Sequence, residues 1–278
     1  MKKYFLIVSL MVVILSSCTK VTVITDPYWV DLVTAFHGNA FNLKMQSFLN
    51  GYILKLCVSD TKGLLPDFSE IINDNHKNIV ILSPFMSARL GLFQQNKNSI
   101  IYYFPNNPVK DVNAGLNTEI IIRDRRTAFF DTGSLLGTKL SSHSVLPIIY
   151  SQDNNLVNSE TESFKDGIKA EGKDVSFICF KVNKDTCEED IRKFYNQIGK
   201  TTAKYIVVFS SKFKYLTYNL AEKDGIKIIT SDSWFSINHR NSILYSIEDD
   251  IKGLLKKVYS HAKTGKHREI LLDGVIRK

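Results

Sequence analysis

Ten short apolar runs rich in β-branched residues alternate with longer segments of helical period, and this alternation restricts the possible folds most strongly. The runs are Val21–Thr25, Tyr52–Val58, Asn78–Ser83, Ser99–Phe104, Glu119–Ile122, Val145–Tyr150, Val175–Phe180, Lys204–Ser210, Ile226–Thr230 and Ser242–Ile247. Each segment between them is long enough for a crossover between parallel strands. Because the runs are apolar throughout, they predict strands buried on both faces. We therefore predict an α/β fold with parallel sheets flanked by helices.

Eight of the intervening segments predict helices. They are Tyr28–Gln46, Phe68–His76, Ser87–Gln95, Arg125–Leu140, Ser159–Glu171, Cys187–Ile198, Phe213–Lys223 and Glu248–Thr264. The connection Pro105–Thr118 differs, since its prolines, glycine and asparagines indicate an irregular loop. We interpret it as the end of one sheet, and predict two Rossmann-like lobes that divide near residues 122 and 123.

The composition excludes several classes of protein. Of 278 residues, 44% are hydrophobic and 23% charged, which excludes a disordered or fibrous chain. Lys and Arg number 36 against 28 Asp and Glu, a formal balance of +8, but the basic residues are scattered. A nucleic-acid groove needs a basic stripe interleaved with aromatic residues, so we expect no nucleic-acid partner. The excess charge favours solubility or attraction to an anionic surface.

The N-terminus has the pattern of an export signal. Lys2 and Lys3 precede the apolar stretch Tyr4–Leu15, which is too short for a comfortable membrane span, and two serines precede Cys18. This ending resembles the bacterial lipobox, which implies a signal peptide over residues 1–17 and a lipidated Cys18 carrying diacylglyceryl and amide-linked acyl chains. Several chains together anchor a protein stably. The alternative is a soluble secreted protein with a cysteine there by coincidence.

The sequence contains none of the common catalytic or nucleotide-binding motifs. The dinucleotide-binding, P-loop, Gly-x-Ser-x-Gly and His-Glu-x-x-His patterns are missing, and the six histidines are dispersed. We therefore predict a protein that is not an enzyme, with no cofactor and no metal site. The acidic run 248–250 is interpreted as charge at a helix start, where carboxylates stabilise the helix dipole.

Three further cysteines follow Cys18. Cys57 and Cys179 lie inside apolar runs, which predicts buried thiols. A disulfide between Cys179 and Cys187 is an open alternative in an oxidising compartment. No spacing among the three indicates zinc.

Polar and aromatic residues follow the runs at the positions where ligands bind. In an open parallel sheet, ligands lie outside the carboxyl ends of the strands. The candidate ligand-binding residues at these ends are Asp26, Tyr28, Trp29, Ser83, Phe85, Asp153, Ser210, Asp232 and Trp234. Aromatic faces beside hydrogen-bonding groups suit a neutral ring-bearing solute. Helix N-capping is an equal alternative for the serines and aspartates, and a core position is an alternative for the tryptophans.

Several segments occur in the order expected of type I periplasmic binding proteins, and nearly all of the chain after Cys18 resembles that family. They are Val21–Asp26, Arg126–Lys139, Val145–Tyr150, Phe164–Ala170 and Gly225–Asp232. Within the family the chain is most similar to the basic membrane protein group of nucleoside-binding lipoproteins. That group's motif after the first strand matches Asp26, Val30 and Asp31, which adds Asp31 to the candidate ligand residues.

The resemblance implies a chain that crosses between two hinged lobes three times. Residues 18–122 and about 246–264 would form the N-terminal lobe, and about 123–245 with 265–278 the C-terminal lobe. A solute would bind in the cleft between the lobes, with Asp26 and Asp232 contacting it from opposite sides.

The implied function is that of a lipid-anchored substrate-binding protein of an ABC-type importer. It would take a small neutral ring-bearing solute, a nucleoside or sugar, at the bacterial cell membrane, facing the periplasm or the exterior, and its partner would be a transporter permease. The segment after Asp26 lacks the glycines and the lysine of the nucleoside binders. This difference favours an alternative, a two-lobed lipoprotein without a solute that acts as a sensor or a protein-interaction module.

Overall fold

A computed structural model describes residues 19–26, 29, 40–59, 78–94, 97–105, 117–152, 154–199, 203–210, 212–231, 241–264 and 269–277. The strands in these residues are β1 (Thr19–Thr25), β2 (Tyr52–Val58), β3 (Asn78–Leu82), β4 (Ser99–Tyr103), β5 (Thr118–Asp124), β6 (Ser144–Ser151), β7 (Val175–Val182), β8 (Tyr205–Phe209), β9 (Lys227–Thr230), β10 (Ile243–Asp249) and β11 (Ile270–Arg277). The helices are α1 (Ala40–Leu49), α2 (Pro84–Ser87), α3 (Leu90–Phe93), α4 (Arg126–Gly137), α5 (Asn155–Ala170), α6 (Glu188–Ile198), α7 (Lys214–Lys223) and α8 (Ile251–Thr264). No helix of the described ranges is at once long and apolar enough to cross a lipid bilayer.

The described residues up to Arg123, together with Ile251–Leu271, form one compact unit. Its strands pair in the order β2-β1-β3-β4-β5, and every pair is parallel. All five residues of β3 are buried, as its continuous apolar run predicts. Helix α8 is held to the sheet by aromatic stacking, since the rings of Tyr259 and Tyr52 lie 4.4 Å apart at 15°.

The second unit comprises Asp124–Asp250 and the described residues from Leu272 onward. Strands β10, β9, β8, β6 and β7 pair in that order, all parallel, and β11 pairs with β10 antiparallel. Two clusters of apolar side chains pack within this unit, one around Phe129, Phe164 and Phe209, the other around Ile206 and Tyr218. Parallel strands place their carboxyl ends at one edge, so the residues after β6 and β8 lie close together.

Helices α4 and α5 pack against each other backbone to backbone. A Cβ atom at Gly133 would lie 2.9 Å from the carbonyl carbon of Phe164. One at Gly167 would lie 2.9 Å from the carbonyl carbon of Phe130. Two glycines facing in this reciprocal way allow the helices an approach that a side chain on either would prevent.

The predicted α/β fold class with mostly parallel strands is confirmed, and all ten predicted runs are strands. The eleventh strand, β11, was not predicted. The helix expected over Ser87–Gln95 is instead two short helices, α2 and α3, and α2 begins earlier because Pro84 occupies a first-turn position. Helix α1 ends at Leu49 rather than Gln46, and the segment Phe68–His76 lies outside the described residues.

The interpretation of residues 248–250 as a helix start is wrong for the first two, and only Asp250 directly precedes the helix. Glu248 and Asp249 are the last residues of strand β10 and are each 3% exposed, and α8 begins only at Ile251. Antiparallel pairing with β11 explains the extension, because Glu248 pairs with Val275 and Asp249 with Gly274. The two carboxylates are therefore buried groups that need partners.

The predicted burial of Cys179 is also wrong. Cys179 is exposed, because β7 pairs on one side with β6 and is the last strand of this unit's sheet. Cys57 is partly buried, Cys187 is exposed, and all three thiols are free. The structure therefore contains no disulfide between Cys179 and Cys187.

Candidate functional site

The carboxylate of Asp26 links the ends of two neighbouring strands in the first unit. Asp26 directly follows β1 and is 8% exposed. Its Oδ1 accepts the backbone N–H of Trp29 at 3.0 Å, and its Oδ2 accepts the hydroxyl of Ser83 at 2.6 Å. Because Ser83 follows β3, the side chain of Asp26 fixes the position of one strand end relative to the other.

Ser83 is fully buried and also begins helix α2. Its Oγ accepts the backbone N–H of Met86 at 3.3 Å, which is the N-cap arrangement, while its hydroxyl hydrogen is donated to Asp26. The cap aims the first turn of α2 outward, and Phe85 on that turn is 54% exposed. Phe85 is thus an aromatic surface open to solvent at the carboxyl edge of the sheet.

Trp29 is a core residue in this arrangement. It is 1% exposed, and its ring meets that of Phe104 edge to face, with centroids 5.6 Å apart. The backbone N–H of Phe104 donates to the hydroxyl of Ser87 at 2.9 Å, and that hydroxyl donates to the carbonyl of Ser83 at 2.8 Å. One chain of contacts therefore connects Trp29 to the strand end that presents Phe85.

Sequence reasoning did not assign Phe104 or Ser87 to this edge. Phe104 was predicted as the last residue of a strand run, and the position of Ser87 depends on a helix that begins earlier than expected. A signal for both was nevertheless present, because Pro84 after Ser83 is the pattern of an N-cap followed by a proline in the first turn.

In the second unit, two serines meet at the carboxyl ends of β6 and β8. The hydroxyl of Ser151 donates to Oγ of Ser210 at 3.1 Å, and Ser210 in turn donates to the carbonyl of Lys212 at 3.3 Å. Ser210 is 6% exposed, whereas Ser151 is partly exposed and the following Gln152 is exposed. Of these described residues, Ser151 and Gln152 at the end of β6 offer more hydrogen-bonding surface to solvent than Ser210 does.

The ammonium group of Lys212 lies in a cradle of backbone carbonyl oxygens. Nζ donates to Lys184 at 2.9 Å, to Thr186 at 2.7 Å and, more distantly, to Asn183 at 3.3 Å. Asn183 also orders the same turn from within, since its Oδ1 accepts the backbone N–H groups of Asp185 and Thr186 at 2.9 Å. The lysine therefore fixes the turn between β7 and α6.

Buried charges join the first turn of α4 to α5 and β10. Arg125 and Glu160, 7% and 0% exposed, form a bidentate pair with Nε–Oε1 and Nη2–Oε2 distances of 2.8 and 2.9 Å. The guanidinium also lies 3.7 Å from Oδ1 of Asp249 and 5.3 Å from the ring centroid of Phe129. These contacts hold α4, α5 and β10 together. A bidentate arginine–carboxylate pair is stronger than one with a single hydrogen bond.

Glu248 forms a second buried contact in the same region. Its Oε2 lies 3.4 Å from Nε of Arg277 on the paired strand β11. Burial raises the pKa of the Glu248 carboxyl to about 7, although the neighbouring Arg277 acts in the opposite direction. Within the residues that the structure describes, no group of three or more His, Cys, Asp and Glu side chains could hold a metal ion.

The remaining predicted site residues lie outside the described residues. They are Cys18, Tyr28, Asp31, Asp153, Asp232 and Trp234. Their assigned roles stay predictions. Of the predicted residues that are described, Asp26, Trp29, Ser83 and Phe85 lie together at one strand edge, and Ser210 lies at the carboxyl edge of the other unit's sheet.

Solved structures share this fold over almost their whole length. One is an ABC-transporter solute-binding protein from Burkholderia multivorans, 12% identical, covering 94% of this chain and 99% of its own with a TM-score of 0.59. A periplasmic ribose ABC transporter protein from Conexibacter woesei is 9% identical over 94% and 91%, with a TM-score of 0.59. A Caulobacter myo-inositol binding protein is 14% identical over 94% and 93%, with a TM-score of 0.54.

Comparisons of sequence add no closer relative, because no protein-family model matches the chain and no curated protein matches it. The resemblance to the nucleoside-binding lipoprotein group stays a prediction. The strand order within each unit and the structural neighbours agree on one conclusion: this chain has the α/β fold of the type I periplasmic binding proteins.

Proposed function

We propose that this chain is a lipid-anchored substrate-binding protein of an ABC-type importer and binds a small neutral ring-bearing solute, a sugar or a nucleoside. The observation that carries the proposal is the set of hydroxyl, carboxylate and aromatic groups at the carboxyl ends of β1, β3, β6 and β8. Open parallel sheets bind ligands at the carboxyl ends of their strands, and each of the two units has such an edge. Hydroxyl-rich rings require hydrogen-bonding partners beside an apolar face, and both are present there.

Within this proposal Phe85 is the surface on which the ring of the solute stacks. Among the described aromatic residues at the carboxyl edge of the first unit's sheet, Phe85 is exposed, whereas Trp29 is buried against Phe104. Asp26 and Ser83 act on Phe85 through the N-cap that orients its helical turn. Direct contacts of Asp26 and Asp232 with the solute remain part of the proposal.

The proposed anchor is the lipidated Cys18, supported by the charged, apolar and small-residue order of the segment before it. An anchor of several acyl chains would keep the protein at the bacterial membrane, facing the periplasm or the exterior. A transporter permease is the proposed partner that receives the solute. No catalytic step is proposed.

Calorimetry with a panel of sugars and nucleosides tests the solute site. We expect Phe85→Ala to weaken binding of the selected solute about 3- to 10-fold, the usual contribution of one aromatic contact. Phe48→Ala is the matched control, because Phe48 is also exposed but lies at the opposite end of the unit, on the last turn of α1. Equal affinity of the Phe85 variant and the unaltered protein would remove Phe85 from the site.

A second candidate function is a sensor or interaction module without a solute. The observation in its favour is that Asp26, Ser83 and Ser210 already exchange hydrogen bonds within the protein. Thermal-shift measurements across the same panel distinguish the two candidates. A binding protein gains stability at ligand concentrations well above its Kd, whereas no shift with any sugar or nucleoside would favour the second function.

A further inference from the structure

Helix α1 turns its large apolar side chains away from the protein. Only Leu43 and Ser47 are buried on this helix among the residues whose side chains the structure describes. The exposed apolar residues are Phe41, Met45, Phe48 and Leu49, which are 62%, 43%, 40% and 76% exposed. At about 100° per residue these four lie within an arc of roughly 100°, on the side opposite Leu43. An apolar face of this kind on a soluble unit indicates a surface that contacts something else.

Helix α8 lies beside α1 and supplies positive charge. The hydroxyls of Ser47 on α1 and Tyr259 on α8 are 2.5 Å apart, and Tyr52 donates to the carbonyl of Tyr259 at 3.0 Å. A groove between the two helices is lined by Gln46, Asn50, Lys252 and Lys256 among others, and both lysines are exposed. The groove also includes Leu43 and Ser47, so this row of ammonium groups lies on the flank of α1 beyond Gln46, and Leu49 is the apolar residue nearest to it.

Neither helix contains an acidic residue. Helix α1 contributes the exposed Lys44, and α8 contributes four lysines, of which Lys257 donates to the carbonyl of Leu271. Aromatic, Met and Leu side chains beside lysines form the composition of a surface that lies in the headgroup region of an anionic membrane. A protein partner would require acidic groups that match the same row of lysines.

The position of this surface in the chain favours the membrane as its occupant. Strand β1 begins at Thr19, the residue after Cys18, and Thr19 is the register partner of Tyr52 in the parallel β1–β2 pair. Tyr52 follows the end of α1 at Leu49 by three residues. Paired strands lie about 4.8 Å apart and consecutive Cα atoms about 3.8 Å apart, so Thr19 is close in space to the last turn of α1.

We propose that the apolar face of α1, together with Lys44, Lys252 and Lys256, docks on the surface of an anionic lipid bilayer. The inference rests on the proposed anchor at Cys18, since an anchor so close to α1 keeps this face within reach of the headgroups. Docking would hold the first unit against the membrane in one orientation instead of leaving it to rotate about its lipid tether.

Photocrosslinking of the full chain tests the proposal. A benzophenone amino acid replaces Phe48 in one variant and Phe130 of α4 in the other, two phenylalanines that are each 40% exposed. The lipidated proteins are placed in vesicles of phosphatidylcholine with phosphatidylglycerol, or of phosphatidylcholine alone. We expect the Phe48 variant to crosslink to phospholipid in the anionic vesicles and the Phe130 variant to give only background. Each of Lys252→Gln and Lys256→Gln should lower docking about fivefold, the usual effect of one lysine near an anionic surface.

The outcomes separate the docking surface from the anchor. Mass spectrometry of the N-terminal peptide shows whether Cys18 carries lipid. A lipidated protein whose Phe48 variant crosslinks no better than its Phe130 variant would overturn the docking surface and leave the anchor intact. Crosslinking of Phe48 to phospholipid without lipid on Cys18 would support the surface and refute the anchor. Crosslinking of Phe48 to a polypeptide would overturn the membrane in favour of a protein partner.

Discussion

Replacing Gly133 with alanine should separate two helices that now touch through their backbones. The added Cβ atom would lie 2.9 Å from the carbonyl carbon of Phe164 and nearer still to its oxygen. Neither group can rotate aside, because both belong to the main chain of α5. The helices must therefore move apart by about 1 Å, and a gap of that size already forfeits a quarter to a half of the dispersion energy across it.

The expected loss follows from two opposing effects. Overpacking of a core costs about 1–3 kcal/mol, and a backbone-to-backbone clash belongs near the upper limit. Alanine gains about 1 kcal/mol over glycine in helix propensity. The net destabilisation is therefore about 2 kcal/mol, which corresponds to roughly 30-fold in an equilibrium constant. Gly167→Ala should act alike, and the double variant should lose less than the sum, since the first alanine already parts the helices.

Hydrogen exchange of the α4 and α5 amides, followed by mass spectrometry, measures this change directly. We expect the protected amides of both helices to exchange about 30-fold faster in Gly133→Ala. Gly199→Ala is the control in the same unit, because Gly199 has a right-handed helical φ of −58° and its nearest neighbours would lie 3.6 Å or more from the new atom. Unchanged exchange in Gly133→Ala, or equal acceleration by Gly199→Ala, would refute the close approach.

Two further predictions concern buried charges in the second unit. Glu160→Ala leaves the guanidinium of Arg125 buried without its bidentate partner and should lower the free energy of unfolding by about 3–5 kcal/mol. Urea denaturation measures this loss, which should be smaller for Glu160→Gln. Equal stability of Glu160→Ala and the unaltered protein would contradict the pairing. The pKa of Glu248 is raised to about 7, so the folded state holds a proton that the unfolded state releases near pH 4.5. The contribution of this one group to the free energy of unfolding should therefore be greatest below pH 4.5, fall by about 3 kcal/mol up to pH 7, and then level. Glu248→Gln should remove that part of the slope, and an unaltered pH profile in the variant would show that Glu248 is ionised in the folded protein.

The sequence predicts the strands well because the residues of each run indicate by themselves that the strand is buried. A continuous β-branched run such as Asn78–Leu82 can satisfy its side chains only inside a sheet covered on both faces. Strand β11 is different, since Gly274 interrupts its run and its role depends on pairing with β10. The same pairing extends β10 through Glu248 and Asp249, which by composition alone resemble the charged start of a helix.

Only part of the candidate site can be predicted from the sequence. Asp26, Ser83 and Phe85 follow predicted strands in the sequence and lie at one end of the sheet in the structure, because residues after parallel strands share one end of a sheet. The sequence does not show that the three side chains have different contacts. Asp26 and Ser83 form a hydrogen bond with each other, whereas Phe85 is exposed to solvent. This difference depends on the distance between two strands that are far apart in sequence. The burial of Trp29 depends in the same way on Phe104.

The carbonyl cradle around Lys212 also bears on how the second unit responds to ions. Backbone carbonyl oxygens that converge on one point are among the ligands that calcium, a hard cation, binds in other proteins. Here the ammonium group of Lys212 supplies the positive charge and, being covalently attached, cannot dissociate. The turn between β7 and α6 therefore does not depend on a bound metal ion. The turn should therefore keep its conformation when the salt concentration changes or a chelator is added.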